Sequence, residues 1–208
     1  MRVIGLTGSI ACGKSAVATH LRSRGVPVLD ADVIAREIVL PGSPALDELR
    51  DAFGDGIVAS DGTLNRAALG AVVFGDEEQR RKLNAITHKR IWARAAERIA
   101  ELDANGEVLG VWEAALLIEN GVADMFRPLI VVACSREVQI ERLMSRDRST
   151  APEAEARLAA QMASAEKVKS ADYVIQNDGN LEALASQVDD VLGAICVECK
   201  IPRSRFGL

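Results

Sequence analysis

The sequence predicts a three-layer α/β fold in which a parallel sheet of five strands is covered by helices on both faces. Three observations carry that reading. Short, almost continuously apolar runs rich in β-branched residues alternate with longer helical stretches, as buried parallel strands and their crossovers do. The first of these runs leads straight into a glycine-rich turn that opens a helix. The connection between the second and third runs, about 75 residues, is almost all helical and far exceeds an ordinary crossover.

The strands fall at 2–6, 26–29, 107–112, 128–133 and 173–175. After the first comes an amphipathic helix at 14–24, with Val17 and Leu21 on its apolar face. The second strand ends at Asp30, which suits the N-cap of a helix at 31–39. Helices at 45–53, 66–74 and 77–105 fill the long connection and form a helical subdomain in which a second substrate could be held. Beyond the fourth strand, helices at 136–146 and 153–162 flank an irregular polar segment, 147–152, that reads as a hinge or lid. A helix at 181–195 closes the pattern, and the tail from Lys200 to Leu208 has no periodicity and is expected to be mobile.

A chain of 208 residues with 49% hydrophobic and 26% charged residues can bury one sizeable core and is not disordered. With only 3% aromatic residues, that core rests on Ala, Val, Leu and Ile. A net charge of −5 leaves no general footprint for nucleic acid or anionic lipid, so any phosphate must be captured locally. No apolar run reaches the length of a membrane helix, and none near the start is long enough for a signal peptide; a cytoplasmic protein is expected. A monomer or weak homo-oligomer is expected. Cys12, Cys134, Cys196 and Cys199 are too scattered for a disulfide framework. The Cys196-Val197-Glu198-Cys199 spacing could serve redox or zinc chemistry. With only His20 and His88 in the chain and no second cysteine pair, a helix end with two incidental thiols is the better reading.

Gly8-Ser9-Ile10-Ala11-Cys12-Gly13-Lys14-Ser15, followed by Ala16, matches the phosphate-loop pattern G-x-x-x-x-G-K-[ST] between a strand and a helix. Glycines at both ends let the backbone curl so that several N–H groups converge as an anion nest at a helix N-terminus. Lys14 can then reach the β- and γ-phosphates of a nucleotide, and the Ser15 hydroxyl can ligate Mg2+. The pattern establishes nucleotide binding and leaves the reaction open. A guanine-reading Asn-Lys-x-Asp segment is absent, which argues against a GTP switch. Asp30-Ala31-Asp32 places two carboxylates at the end of the second strand, where an acceptor hydroxyl would need a proton acceptor. Capping and chemistry are compatible there: Asp30 caps the helix or contacts Mg2+, and Asp32 is left for catalysis. Arg142 and Arg146 lie at i and i+4 ahead of the irregular segment; a solvated basic face and a set of lid cations both fit that spacing.

These residues, taken in order, resemble the dephospho-CoA kinase family from Ile4 to about Leu192. The resemblance is carried by Gly5-Leu6-Thr7-Gly8-Ser9-Ile10, Val28-Leu29-Asp30-Ala31-Asp32 with Ala35-Arg36, and Leu64-Asn65-Arg66 with Leu69-Gly70. It continues through Leu83-Asn84-Ala85-Ile86-Thr87-His88, Leu116-Leu117-Ile118-Glu119, and Gln139 with Arg142-Leu143 and Arg146. Arg157 to Gln161 and Ala171-Asp172-Tyr173-Val174-Ile175, ending at Asn177, complete it. It implies a nucleoside-monophosphate-kinase-like P-loop fold in one domain, with a CoA-binding insertion at about 32–105 and a lid at about 146–165. The implied activity is transfer of the ATP γ-phosphate to the ribose 3′-hydroxyl of dephospho-CoA, with ATP and Mg2+ required. By the same resemblance Asp32 is the general base, Arg66 and His88 face the acceptor, Thr7 touches either phosphate or acceptor, and Glu113 helps hold Mg2+ or the acceptor. Arg142 and Arg146 become nucleotide and lid contacts, and Asn177 lies near the adenine. The chain departs from the family pattern at Lys89, where proline is usual, and at Glu113, Ala115 and Ile118, where aspartate, proline and an aromatic are usual. A longer carboxylate at position 113 and an unbroken helix past His88 are the expected consequences. The alternatives are a related kinase with another small acceptor, or a nucleotide-binding relative that has lost its chemistry.

Overall fold

Strands buried on both faces must be apolar at nearly every position, and three here are. β1 (Arg2–Gly8), β3 (Leu109–Glu113) and β4 (Leu129–Ala133) are buried along almost their whole length. With β2 (Val28–Asp30) and β5 (Tyr173–Gln176) they form one five-stranded sheet in the order β2-β3-β1-β4-β5. The pairings of β1 with β3, β1 with β4 and β4 with β5 are all parallel; Leu6 faces Glu113 and Thr7 faces Val131 across the central strand. β1 is therefore the middle strand, and the turn that leaves its carboxyl end emerges between two neighbours, where open α/β sheets bind ligands.

The computed structural model describes all 208 residues. Eight helices lie between the strands and a ninth follows the last: α1 (Lys14–Ser23), α2 (Ala31–Glu37), α3 (Pro44–Phe53), α4 (Arg66–Val73), α5 (Glu77–Ala104), α6 (Arg136–Asp147), α7 (Ala151–Ala159), α8 (Ser164–Val168) and α9 (Leu181–Glu198). None is long and apolar enough to cross a membrane. The chain divides into two units, one of Met1–Leu29 with Leu102–Leu208, and one of Asp30–Glu101.

In the first unit the core gathers Ile4 and Leu6 of β1, Val17 and Leu21 of α1, Val111 of β3, Val132 of β4 and Val188, Leu192 and Ile195 of α9. Asp189 of α9 ties that helix to α1 by accepting from His20 Nε2 at 2.8 Å and pairing with Arg24. The Arg24 and His20 donors hold the Asp189 carboxyl below its ordinary range in spite of its partial burial. The helical unit has its own small core of Val39, Ala45, Leu49, Ile57 and Leu69, with Leu83 and Ile86 packed against it. Its helices start on side-chain caps: Asp30 for α2, Ser43 with Pro44 behind it for α3, and Asn65 for α4.

Several expectations need correction. β1 runs two residues further than its apolar pattern, through Thr7 and Gly8, and β3 takes in Glu113 rather than stopping at Trp112. Parallel pairing on both sides of β1 supplies the ladder partners that local hydropathy does not reveal. α5 passes Lys89 without interruption over 28 residues, as the absence of proline there allows. The irregular segment after α6 is shorter than expected. Pro152 sits in the first turn of α7, where a missing N–H costs nothing, behind a capping box in which Thr150 and Glu153 satisfy each other's backbone. The five-residue α8 carries too little pattern to be foreseen.

The tail is not mobile. After Cys199 the chain turns back through a 3-10 turn at Arg203–Phe206, and Phe206 is buried with 2% of its surface exposed. Ile201 and Leu208 pack against the main core, and the Arg203 guanidinium lies over Gly193, where a Cβ would stand 2.3 Å from Arg203 Nη2. Phe206→Ala should lower the unfolding free energy by about 3–5 kcal/mol, read from urea denaturation. An unchanged midpoint would mean that the tail contributes nothing to the core.

Candidate active site

The site is built around the turn from β1 to α1. Its backbone curls because two residues take the left-handed region, Ala11 at φ 61° and Gly13 at φ 90°. For Ala11 this conformation costs about 1 kcal/mol or more, strain of a kind that persists only when surrounding contacts hold it. At Gly13 space also decides, because a Cβ would lie 2.1 Å from Asn177 Nδ2. Gly8 is required by close approach: a Cβ there would meet the Val132 carbonyl oxygen at 2.4 Å.

Those holding contacts arrive from behind the loop. Asn177, buried at the end of β5, donates from Nδ2 to the Cys12 carbonyl at 2.8 Å, while its own N–H donates to the Ala133 carbonyl at 2.8 Å. Gln139 of α6 donates from Nε2 to the Ile10 carbonyl at 2.8 Å and to Cys12 Sγ at 3.3 Å. The Ile10 N–H donates to Gln161 Oε1 at 3.0 Å, and Ser9 Oγ to the Met162 carbonyl at 3.3 Å. Lys14 Nζ donates to the Gly8 carbonyl at 3.0 Å, which lays the ammonium along the inside of the curl. Carbonyls of residues 8, 10 and 12 are thus occupied by side-chain donors, which favours amides rather than carbonyls facing the concave side.

In front of the loop lies an open cavity of about 630 Å3, lined by Ala11, Gly13, Lys14, Ser15, Arg142 and Arg146 among others. That volume suits a nucleotide-sized ligand. Arg142 reaches back from α6 with Nη1 3.5 Å from the Ala11 carbonyl. Arg146 lines the same cavity but is engaged by Asp147, its Nε and Nη2 at 2.8 and 2.9 Å from the two carboxylate oxygens. Arg157 of α7 pairs with Asp147 as well, and the two guanidiniums, Arg146 foremost, pull the Asp147 pKa down to about 2. α6 ends at Arg148 in the left-handed conformation, φ 53°.

The other residues singled out in the sequence divide between the two units. Thr7 is fully buried and donates from Oγ1 to the Ala115 carbonyl at 3.2 Å, so its hydroxyl braces the segment after β3. Glu113 ends β3, buried and aligned with Leu6. In the helical unit, Asp30 Oδ1 accepts from the N–H groups of Asp32 and Val33 at 2.8 and 3.2 Å, which is the capping role. Asp32 is exposed in the first turn of α2 and takes no part as a capping side chain. Arg66 begins α4 and His88 lies midway along α5, both exposed. Asn177 does not border the cavity in front of the loop; its amide is committed to the loop backbone.

Sequence reading missed Lys167. This lysine of α8 is fully buried, donates from Nζ to the Ala115 carbonyl at 2.8 Å, and lies 2.8 Å from Glu119 Oε1. One carbonyl thus receives both Thr7 and Lys167, which pins the segment following Glu113 in the absence of a turn-forming proline at 115. The roles of Gln139 and Gln161 as loop braces were likewise invisible, although both stood among the residues that carried the family resemblance.

The family model for dephospho-CoA kinase matches residues 2–183 of this chain. A dephospho-CoA kinase of Anaeromyxobacter dehalogenans is 49% identical over 192 residues, spanning 92% of this chain and 91% of that protein. Among solved structures, TT1252 from Thermus thermophilus superposes with a TM-score of 0.81 at 35% identity, covering 95% of this chain and 97% of that one. A dephospho-CoA kinase from Campylobacter jejuni gives a TM-score of 0.71 at 28% identity, covering 95% and 99%.

Asn177→Ala removes the donor to the Cys12 carbonyl and leaves a buried acceptor without its partner, a loss of about 1–3 kcal/mol. Nucleotide affinity, measured by titration calorimetry, should fall by about tenfold or more while the protein remains folded. Wild-type affinity in the variant would show that the brace does not shape the loop.

Proposed function

The chain belongs to the dephospho-CoA kinase family, and we propose that its phosphate loop, its arginines and Asp32 carry that family's reaction by direct in-line transfer. The reaction moves the γ-phosphate of ATP to the ribose 3′-hydroxyl of dephospho-CoA, giving CoA and ADP as the last step of coenzyme A biosynthesis. The observation that carries the reading is the braced loop, whose residues Ala11, Gly13, Lys14 and Ser15 line a cavity also lined by Arg142.

Residues 8–15, with the N-terminus of α1 at Lys14, bind the triphosphate through converging N–H groups, and Lys14 neutralises charge on the β- and γ-oxygens. Arg142 and Arg146 supply cations to the transferring group. In this reading the segment at about 146–165 acts as a lid, and Arg146 exchanges its Asp147 partner for phosphate as the lid closes. Ser15 fits a magnesium ligand: it borders the cavity beside Lys14 and carries a hydroxyl oxygen, and that ion takes few protein oxygens where phosphate and water supply the rest. The second oxygen of Asp30 could join it, since capping occupies Oδ1. Bound with ATP, magnesium would spread the charge that builds on the β- and γ-oxygens.

Asp32 accepts the proton of the ribose hydroxyl as attack occurs, the role for which its exposed, uncommitted position suits it better than Asp30. Arg66 and His88 bind the CoA portion of the acceptor, and Glu113, held at the end of β3, orients the acceptor or the metal. No covalent intermediate is needed, because positioning and electrostatics carry phosphoryl transfer.

Incubation with MgATP and dephospho-CoA should yield, by mass spectrometry, a product heavier by one phosphate. Absence of that product beside turnover of another acceptor in a coupled ADP assay would redirect the assignment. Lys14→Ala should abolish turnover. Asp32→Asn should keep ATP binding near wild type and cut turnover by about 10²–10⁴-fold; undiminished turnover would refute a base at position 32.

A further inference from the structure

The stretch of chain that follows α7 makes two sets of contacts, one to the phosphate loop and one to the segment that leaves β3. At its start, Gln161 Oε1 accepts from the Ile10 N–H at 3.0 Å, and the Met162 carbonyl accepts from Ser9 Oγ at 3.3 Å. At its end, Lys167 Nζ donates to the Ala115 carbonyl at 2.8 Å and lies 2.8 Å from Glu119 Oε1. Between these points the chain turns into α8, and the amides of Glu166 and Lys167 return to the Ala163 carbonyl at 3.0 and 3.1 Å. Two ends joined by so short a hydrogen-bonded turn move together.

Lys167 has 0% of its surface exposed, and a buried ammonium is costly unless its partners are well placed. Here every one of them belongs to the segment after β3. Both Glu119 oxygens are buried, and no other donor reaches them. The Ala115 carbonyl also accepts from Thr7 Oγ1 at 3.2 Å, and the Ala114 N–H donates to the Leu6 carbonyl at 3.1 Å. Glu113 therefore leaves the sheet at a point gripped by β1 on one side and by α8 on the other. Neither Gln161 nor Lys167 lines the nucleotide cavity, so whatever they contribute to transfer passes through the backbone they hold.

We infer that residues 161–167 form a strut that sets the end of β3 against the phosphate loop, and that Gln161 and Lys167 are positioning residues for phosphoryl transfer. The inference rests on the reading that the loop binds the donor and that Glu113 serves the acceptor side. In-line transfer depends on the separation of those two groups, and a misplacement of about 1 Å costs about 10²-fold in rate. The strut ties them directly, from the Ile10 amide through Gln161 and α8 to the carbonyl two residues past Glu113. Apolar side chains of similar volume often replace a buried ion pair without loss of stability, which makes positioning separable from folding.

The test uses the full chain in two variants, Gln161→Met and the pair Lys167→Met with Glu119→Met. Each should unfold near the wild-type urea midpoint and bind ATP within about threefold of wild type by calorimetry, while kcat falls by about 10- to 100-fold. Combining all three substitutions should lower kcat by no more than about twofold beyond the larger separate effect, because a strut cut at one end is already cut. Undiminished kcat in either variant, or losses that simply multiply, would overturn the inference. Hydrogen exchange supplies a reading that needs no turnover. In Gln161→Met, the amides of Ala114, Asn120, Gly121 and Val122, at the far end of the strut, should exchange about tenfold faster or more. Unchanged protection there would sink the strut, whichever acceptor is phosphorylated and whether or not the lysine pair variant folds. A wild-type chain that turned over no acceptor would instead strike the functional reading and leave exchange to decide the strut.

Discussion

The curl of eight residues at the head of α1 is the constraint from which the rest of the site follows. A chain segment whose amides converge is electrostatically unfavourable until an anion arrives, and here it includes a non-glycine residue in the left-handed region. Such a segment cannot hold itself. Asn177, Gln139, Gln161 and Ser9 fix it from behind through partners on β5, α6 and the segment joining α7 to α8. The sheet order makes this economical. With β1 central and β4 and β5 on one side, the ends of three strands and the start of α6 arrive within one side chain's reach of the loop.

A second consequence concerns the segment after β3. The family pattern expects a proline at 115 to set the turn, and this chain has alanine. The structure supplies other restraints at that point: two side chains, Thr7 and Lys167, converge on the Ala115 carbonyl, and Lys167 is balanced by Glu119. A fully buried ammonium costs several kcal/mol in desolvation unless such partners are present, so the three groups stand or fall together. The longer carboxylate of Glu113 is thereby presented from a fixed backbone, which limits how far the extra methylene can displace it.

What could be read directly in the sequence was whatever is encoded locally. Gly8 to Ser15 announces itself by spacing, Asp30 by its place before a helix, and the strands by continuous hydropathy. The braces were not legible as braces: Asn177 acts 165 residues from Cys12 and Lys167 acts 52 residues from Ala115, and no periodicity marks such a pairing. Asn177 illustrates the difference, since no local pattern reveals that its amide reaches the loop backbone. The tail was misread because a turn of 3-10 helix with one buried phenylalanine offers no repeat to detect, although Ile201, Phe206 and Leu208 supply the apolar contacts that hold it.

That tail also orders events in time. The strand at the centre of the sheet is synthesised well before the residues that seal the core against α9, with Arg203 seated on Gly193 and Phe206 buried. A growing chain lacks that seal until residues 201–208 have emerged. The sheet unit therefore reaches its final packing only then, and meanwhile its central strand depends on transient cover from helices already made.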